Sequence, residues 1–144
     1  MAIMDAQLLF SDAQAVTAAA ASTNYIDLGA ARNIGVGTPL YVLVTVDVAL
    51  TDGSSDSTLD VHLYGDSTTS FTPDGQQKLF TIPALAAAGQ KYVALISPDF
   101  ASNYRYIELY YSPNNGNLST GSFTAGIVLD PPQDAVFADN ITIS

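Results

Sequence analysis

The chain has no cysteine, no tryptophan, one histidine and only four basic residues among its 144. Without cysteine there is no disulfide, no thiolate nucleophile and no zinc–thiolate site. The redox compartment stays open, because a cysteine-free chain tolerates either. The basic residues Arg32, Lys78, Lys91 and Arg105 stand far apart against 14 acids, for a formal net charge of −10. Polyanions are bound through clustered Lys and Arg that displace counterions, so nucleic acid and anionic membrane are excluded as partners. The acidic balance favours self-avoidance and steering toward a basic surface. Long apolar runs are missing as well. The longest, Leu40–Val46, falls far short of the roughly 20 residues that cross a bilayer. The opening Met1-Ala2-Ile3-Met4-Asp5 has no basic n-region. The expectation is a chain without signal peptide or membrane anchor, made in the cytoplasm. Charged residues are 12% of the chain against about 25% in an ordinary domain, so Ser, Thr, Asn, Gln and Ala must clothe the surface.

What is present is period-two alternation, the mark of strands. Leu40, Val42, Val44, Val46 and Val48 form an aliphatic face against Tyr41, Leu43, Thr45, Asp47 and Ala49. Leu59, Val61 and Leu63 alternate with Asp60, His62 and Tyr64. Ile107, Leu109 and Tyr111 alternate with Tyr106, Glu108 and Tyr110. Phe123, Ala125, Ile127 and Leu129 alternate with Thr124, Gly126, Val128 and Asp130. Shorter strands are expected at Gln7–Phe10, Ala15–Thr17, Asn24–Leu28, Lys78–Ile82, Tyr92–Ile96 and Ile141–Ile143. Turn chemistry separates them: Asp52-Gly53-Ser54-Ser55, Gly65-Asp66-Ser67, Pro73-Asp74-Gly75 and Pro113-Asn114-Asn115-Gly116, where Asn-Gly is a strong tight-turn signal. Pro131-Pro132 ends the run that begins at Phe123. Two segments have helical composition. Asp12–Ala21 is alanine-rich but weakened by Val16, Thr17 and Ser22-Thr23-Asn24, and Ala84–Gln90 is too short for more than a turn or loop. The pattern predicts about eight to ten strands in a single all-β domain over 1–144, a sandwich, jelly roll or barrel. Residues 1–14, with Leu8, Leu9 and Phe10, read either as an ordinary edge strand, the favoured of the two, or as an arm that pairs with a neighbouring subunit by strand addition.

A search for chemistry finds no catalytic constellation. His62 shares a strand face with Asp60 and Tyr64, so Asp60 could orient it as a base, but no nucleophile elbow accompanies them, and a polar strand face explains the same residues. Asp52, Asp56 and Asp60 lack the alternating spacing of a calcium loop, and neither they nor Asp130, Asp134 and Asp139 read as a metal site. Gly35-Val36-Gly37 precedes a strand instead of opening a helix, which rules out a dinucleotide fingerprint. Thirteen of the 14 acids are Asp, mostly in turns, and the one glutamate, Glu108, sits mid-strand. Flanked by Tyr106 and Tyr110, it offers a sugar-stacking platform or a protein interface, in which tyrosine is enriched, beside the plainer reading of an outer sheet face. The expectation is a non-enzymatic protein without cofactor or metal.

The text of the N-terminal third carries a resemblance. Asp5-Ala6-Gln7-Leu8-Leu9-Phe10-Ser11-Asp12-Ala13-Gln14-Ala15-Val16-Thr17, running on to Ala21-Ser22-Thr23-Asn24-Tyr25-Ile26-Asp27-Leu28-Gly29, resembles the opening of the capsid cement (decoration) proteins of tailed bacteriophages. That family is typified by a short-tailed Bordetella phage. The resemblance continues through Arg32-Asn33-Ile34-Gly35-Val36-Gly37-Thr38-Pro39-Leu40-Tyr41. It returns at Arg105-Tyr106-Ile107-Glu108-Leu109-Tyr110-Tyr111 and at Gly121-Ser122-Phe123-Thr124-Ala125-Gly126. Residues 52–90 carry no part of it. It implies a jelly-roll-like antiparallel β-sandwich on the outer surface of the virion capsid, made in the bacterial host cytoplasm. It implies dimers or trimers that bridge neighbouring copies of the phage major capsid protein, with no catalysis and no cofactor. The residues offered for such contacts are Leu8, Leu9, Phe10, Tyr41, Tyr106, Glu108 and Tyr110. The alternative is a carbohydrate-binding β-sandwich, a phage accessory or adsorption lectin, with Tyr106, Glu108 and Tyr110 as its platform.

Overall fold

Alternating β-branched runs flanked by Gly, Asn and Asp turns fold into strands wherever one face can be buried. A computed structural model describes residues 9–27, 41–68, 75–96, 104–128 and 136–137. They form β1 (Leu9–Ala15), β2 (Ala20–Ala21), β3 (Ile26–Asp27), β4 (Tyr41–Thr51), β5 (Thr58–Asp66), β6 (Gly75–Ile82), β7 (Lys91–Leu95), β8 (Tyr106–Asn114), β9 (Thr120–Val128) and β10 (Val136–Phe137). No helix occurs among the described residues. The strand expected at Ile141–Ile143 and the stop at Pro131-Pro132 lie outside them.

Two sheets result. Sheet A has the order β1-β9-β4-β7-β10; sheet B has β2-β8-β5-β6, with β3 also on β8. The pairings nest: β5 with β6, β4 with β7, β2 and β3 with β8, β1 with β9, all antiparallel. A long two-stranded ribbon rolled about the β5–β6 hairpin gives this order, which is that of a jelly roll. The edge pair β10–β7 departs from the antiparallel expectation and is parallel.

The core lies between the sheets. Val42, Val44 and Val46 of β4 and Phe123, Ala125 and Ile127 of β9 meet Leu59, Val61 and Leu63 of β5 and Ile107, Leu109 and Tyr111 of β8, all buried. Each fully buried Val, Leu or Ile is worth about 1.5–3 kcal/mol, so the alternation itself is the main stabilising feature.

Three expectations need correction. First, Val48 does not continue the buried face of β4. Val46 opposes Phe123 but Val48 opposes Ser122, so one extra residue bulges from β4, and a second irregularity follows before Thr51. A bulge reverses the parity of the residues after it. Val48 is consequently 49% exposed where Val46 is 1% exposed, and Leu50 is the next residue buried. Secondly, Asp12–Ala21 is not helical. Strand β1 runs to Ala15 and β2 begins at Ala20. Bulges at either side of Ser11, with Ala13 at φ 50°, shape β1 to its partner β9, and turn both Phe10 and Ser11 into the interior. Thirdly, Asn115-Gly116, at φ 63° and 103°, does not close a hairpin. Strands β8 and β9 belong to different sheets, so this corner carries the chain across the sandwich, tied by the Ser57 hydroxyl to both carbonyls at 3.1 Å.

One polar chain crosses the core. Tyr111 is fully buried and stacks on Phe123 at 5.7 Å. Its hydroxyl meets buried Ser11 Oγ at 2.8 Å, and Ser11 donates in turn to Gln14 Oε1 at 2.6 Å, so Tyr111 acts as donor to Ser11. Gln14 then accepts from the Thr23 amide at 2.8 Å and donates to the Ala21 carbonyl at 2.9 Å. Burial pushes the Tyr111 phenol far above its usual value, only partly offset by Ser11.

Two predictions follow from the register and the core. Val46→Ala should cost about 2–3 kcal/mol through its cavity, whereas Val48→Ser should change stability by no more than about 0.5 kcal/mol; equal losses in urea unfolding would refute the bulge. Ser11→Ala should cost about 1–3 kcal/mol by stranding the buried Tyr111 hydroxyl. The Ser11→Ala/Tyr111→Phe double variant should then lose less than the sum of the singles, and strict additivity would contradict the hydrogen bond.

Candidate functional site

Strands β5 and β8 are neighbours in sheet B, so their outward residues make one surface. Across the seam Asp60 opposes Ser112, His62 opposes Tyr110, Tyr64 opposes Glu108 and Asp66 opposes Tyr106. The Tyr64 and Tyr110 rings stack at 4.9 Å and 11°. Tyr25 stands edge-on to Tyr106 at 5.5 Å. The Arg105 guanidinium lies 5.0 Å over the Tyr106 ring and donates to both Asp27 oxygens, at 2.9 and 3.1 Å. The expected outward tyrosines, Tyr106 and Tyr110, are thus brought together with Tyr64, which alternation places on the face of His62, and with Tyr25, which the sequence had not singled out.

Between the tyrosines sit two carboxyl groups. Glu108 is 7% exposed and Asp66 3% exposed, although both lie on the outward face. Burial, and then the neighbouring charge of Asp66, push the Glu108 carboxyl up to about 7. Burial also raises the Tyr64 phenol, with Tyr110 and Glu108 adding to it. Asp66 Oδ1 accepts from the Thr68 amide at 2.9 Å and from its hydroxyl at 3.2 Å, while Oδ2 is buried without a partner. Sequence reasoning placed Asp66 in a turn. It is instead the last residue of β5, and its only sequence signal, the Asp-Ser-Thr turn chemistry, describes its Oδ1 and not its Oδ2.

At this end of sheet B the inner face, not the outer, is filled by Tyr104, since Gly65 alternates inward with Leu63 and opposes Ile107. The Tyr104 ring covers the cross-strand pair Gly65 and Gly75, so closely that a Cβ on either glycine would collide with it. The two glycines are therefore required by close approach, an arrangement in which an aromatic ring takes the place of the missing side chains.

The Asp60–His62 pair does not assemble as an oriented base. Asp60 accepts from Thr81 Oγ1 at 2.6 Å and Asn114 Nδ2 at 2.7 Å, with Lys78 Nζ at 3.4 Å. Burial would raise the Asp60 carboxyl, but these three partners outweigh it and hold it below its usual value. Burial lowers His62, opposed by the charge of Asp60 and assisted by that of Lys78. In the Asp52 loop the carboxylate caps its own turn, accepting the Ser54 and Ser57 amides at 3.1 and 3.2 Å. Among the described residues no group of three or more His, Cys, Asp or Glu is placed to hold a metal. Asp130, Asp134 and Asp139 lie outside them.

Of the seven residues offered for contacts, five face outward and divide between the two sheets. Tyr106, Glu108 and Tyr110 face outward from sheet B, but Glu108 is nearly covered. Tyr41 and Leu9 share the opposite surface, the outer face of sheet A. There Leu9 and Leu43 both oppose Gly126, Leu43 opposes Val93, and Tyr41 opposes Val128 and Leu95. Leu43, Val93 and Val128 form a second apolar cluster with Tyr41 packed against it, and Leu95 is exposed beside it. Phe10 must be removed from the contact set: the β1 bulge turns it inward and it is fully buried in the chain's own core. Leu8 lies outside the described residues. Strand β1 itself pairs with β9 of the same chain as the edge of sheet A.

These features define an all-β sandwich of jelly-roll type with two chemically different outer faces, one aliphatic and one of tyrosines over buried acids. The Bbp16 family model matches residues 10–127, and the chain belongs to the Bbp16 family. The family's namesake is a Bordetella phage protein, and membership marks the chain as a phage structural protein associated with the virion. The match runs through residues 52–90, which had carried no resemblance. No curated protein matches the chain.

The glycine pair gives a direct check. Gly65→Ala should cost about 1–3 kcal/mol by overpacking against Tyr104, and Tyr104→Ala in the same chain should recover part of that loss. A Gly65→Ala variant as stable as the parent in thermal unfolding would contradict the packing.

Proposed function

We propose that this protein is a capsid cement protein, which binds the outer surface of an assembled phage capsid and bridges neighbouring copies of the major capsid protein. The observation that carries this reading is family membership over residues 10–127, taken with the resemblance of residues 5–41 to phage decoration proteins. Three physical features support it. The jelly roll closes a core of its own without a disulfide. A bridging protein must touch more than one neighbour, and the sandwich offers two opposed outer faces of different chemistry. The net charge of −10 keeps free copies apart and favours a basic docking surface.

On this reading the protein works without catalysis, as a homodimer or homotrimer. Many modest contacts repeated over a shell gain strength by multivalency. Preferential binding to one shell state stabilises that state by the difference in affinity. The carbohydrate-binding alternative is less favoured by the tyrosines. Sugar stacking needs free ring faces, and Tyr64 and Tyr110 each spend one on the other.

The test is co-sedimentation of the purified protein with capsid shells of its own phage, before and after expansion. Saturable binding to expanded shells, at a stoichiometry set by icosahedral symmetry, is the expected result. A folded protein that binds neither form would overturn the reading, and a hit on a glycan array would then favour the lectin.

A further inference from the structure

Among the described side chains, one polar atom is buried without a partner: Asp66 Oδ2. A buried carboxylate oxygen without a donor is costly, and Asp66 is the C-terminal residue of a strand that is otherwise fully paired across the seam. Its diagonal neighbour on that seam is Glu108, because Asp66 opposes Tyr106 and Tyr64 opposes Glu108 on the same face. Diagonal neighbours in an antiparallel pair stand within reach of long side chains. Both groups are buried, at 3% and 7% exposure. Glu108 is the group on this face able to present a carboxyl proton to Asp66.

The charged groups on the surrounding elements are otherwise engaged, and the other polar side chains there are phenols and one imidazole. From β8 and the β3 side come Tyr106, Tyr110 and Tyr25, with Arg105 held in its bidentate pair with Asp27. From β5 come Tyr64 and His62, and from β6 comes Lys78, paired with Asp60. Among the described residues no cation forms an ion pair with either Asp66 or Glu108.

We propose that Glu108 and Asp66 share one proton, Glu108 donating to Asp66 Oδ2, and that this shared proton is a pH-sensitive clasp on the β5–β8 seam. Two buried carboxylates side by side repel, so the clasp holds while one proton remains and loosens when it leaves. Burial, and then the charge of Asp66, raise Glu108 to about 7, which keeps a proton on this carboxyl toward neutral pH. A carboxyl raised above its unfolded value binds protons better in the folded chain, so stability falls as pH rises through the interval between 4.5 and about 7 and stays low above it. His62, lowered by burial, works in the opposite sense, its contribution being lost as pH falls, so the profile of Glu108 must be isolated by substitution.

The chain contains a single glutamate, so labelling glutamate with carbon-13 at the side-chain carboxyl gives one resonance to titrate by NMR. The expected midpoint is near 7 in the parent and clearly lower in Asp66→Asn. Thermal unfolding of Glu108→Gln should be more stable than the parent at pH 8, with a flatter profile between pH 5 and 8. A parent midpoint near 4.5 overturns the proposal. So does a raised midpoint that Asp66→Asn leaves in place, since burial alone would then be responsible. Stabilisation at pH 8 by millimolar calcium that Asp66→Asn abolishes would also overturn it, by assigning the pair to a cation. If Asp66→Asn does not fold, amide exchange in the parent replaces it: amides of Gly65–Asp66 and Tyr106–Ile107, corrected for intrinsic rates, should open more readily above pH 7 than below, and unchanged protection sinks the clasp.

Discussion

A phenol buried between two sheets can stay there only while its hydroxyl is paired, and this condition governs how the sandwich closes. Tyr111 is an inward residue of sheet B, and its partner Ser11 belongs to the edge strand of sheet A. Ser11 faces inward because β1 bulges on both sides of it. Gln14 relays the same chain of donors to the backbone of Ala21 and Thr23, where β2 and the approach to β3 begin. The hydrogen bond therefore fixes the shape of β1, the seat of Phe10, and the path by which the chain leaves one sheet for the other. A hydrophobic contact could hold the sheets together, but it would not select this register, because apolar burial is non-directional.

Where one strand face is buried and nothing interrupts the pleat, the sequence is legible. Leu59, Val61 and Leu63 are inside as their alternation requires, and so are Ile107, Leu109 and Tyr111. The failures have a common cause, in that the pairing partner decides direction and local text does not contain it. Val48 continues an aliphatic alternation, yet an extra residue in β4 turns it outward opposite Ser122. Asn115-Gly116 supplies the left-handed pair that a tight turn needs, but the same dihedral angles also serve a corner between sheets. The alanines of Asp12–Ala21 favour helix by propensity, and this weak preference yields to edge pairing with β9 and to the polar chain through Gln14.

The candidate surface was half legible for the same reason. Alternation places Tyr106, Glu108 and Tyr110 on one outward face, and they are there. It does not reveal that Glu108 is covered, because covering depends on Tyr64 and Asp66 from the neighbouring strand. Phe10 is offered as a contact residue on an edge strand or arm, but a bulge turns it into the core. Tyr41 reads correctly as outward, yet it belongs to sheet A and cannot join the tyrosines of sheet B in one contact. Residues that alternate alike on different strands share a surface only if the topology places those strands in the same sheet.

The two outer faces therefore meet different requirements. Leu43, Val93 and Val128 make a second apolar cluster on sheet A, with Leu95 exposed beside it. This is a surface that gains from losing water whatever the charge of its neighbour. The seam of sheet B is less permissive, since any partner that covers it completes the burial of two carboxyl groups. Desolvating a charge without pairing it is among the largest penalties available to an interface. A partner on that face must bring a cation, leave a proton on Glu108, or avoid the centre of the seam and use the tyrosine rims. On the cement reading, the aliphatic face contributes affinity by area, and the acidic seam constrains which partner surfaces fit and under what conditions. Specificity is then carried by the face that is costly to bury, because only a chemically matched surface offsets that cost.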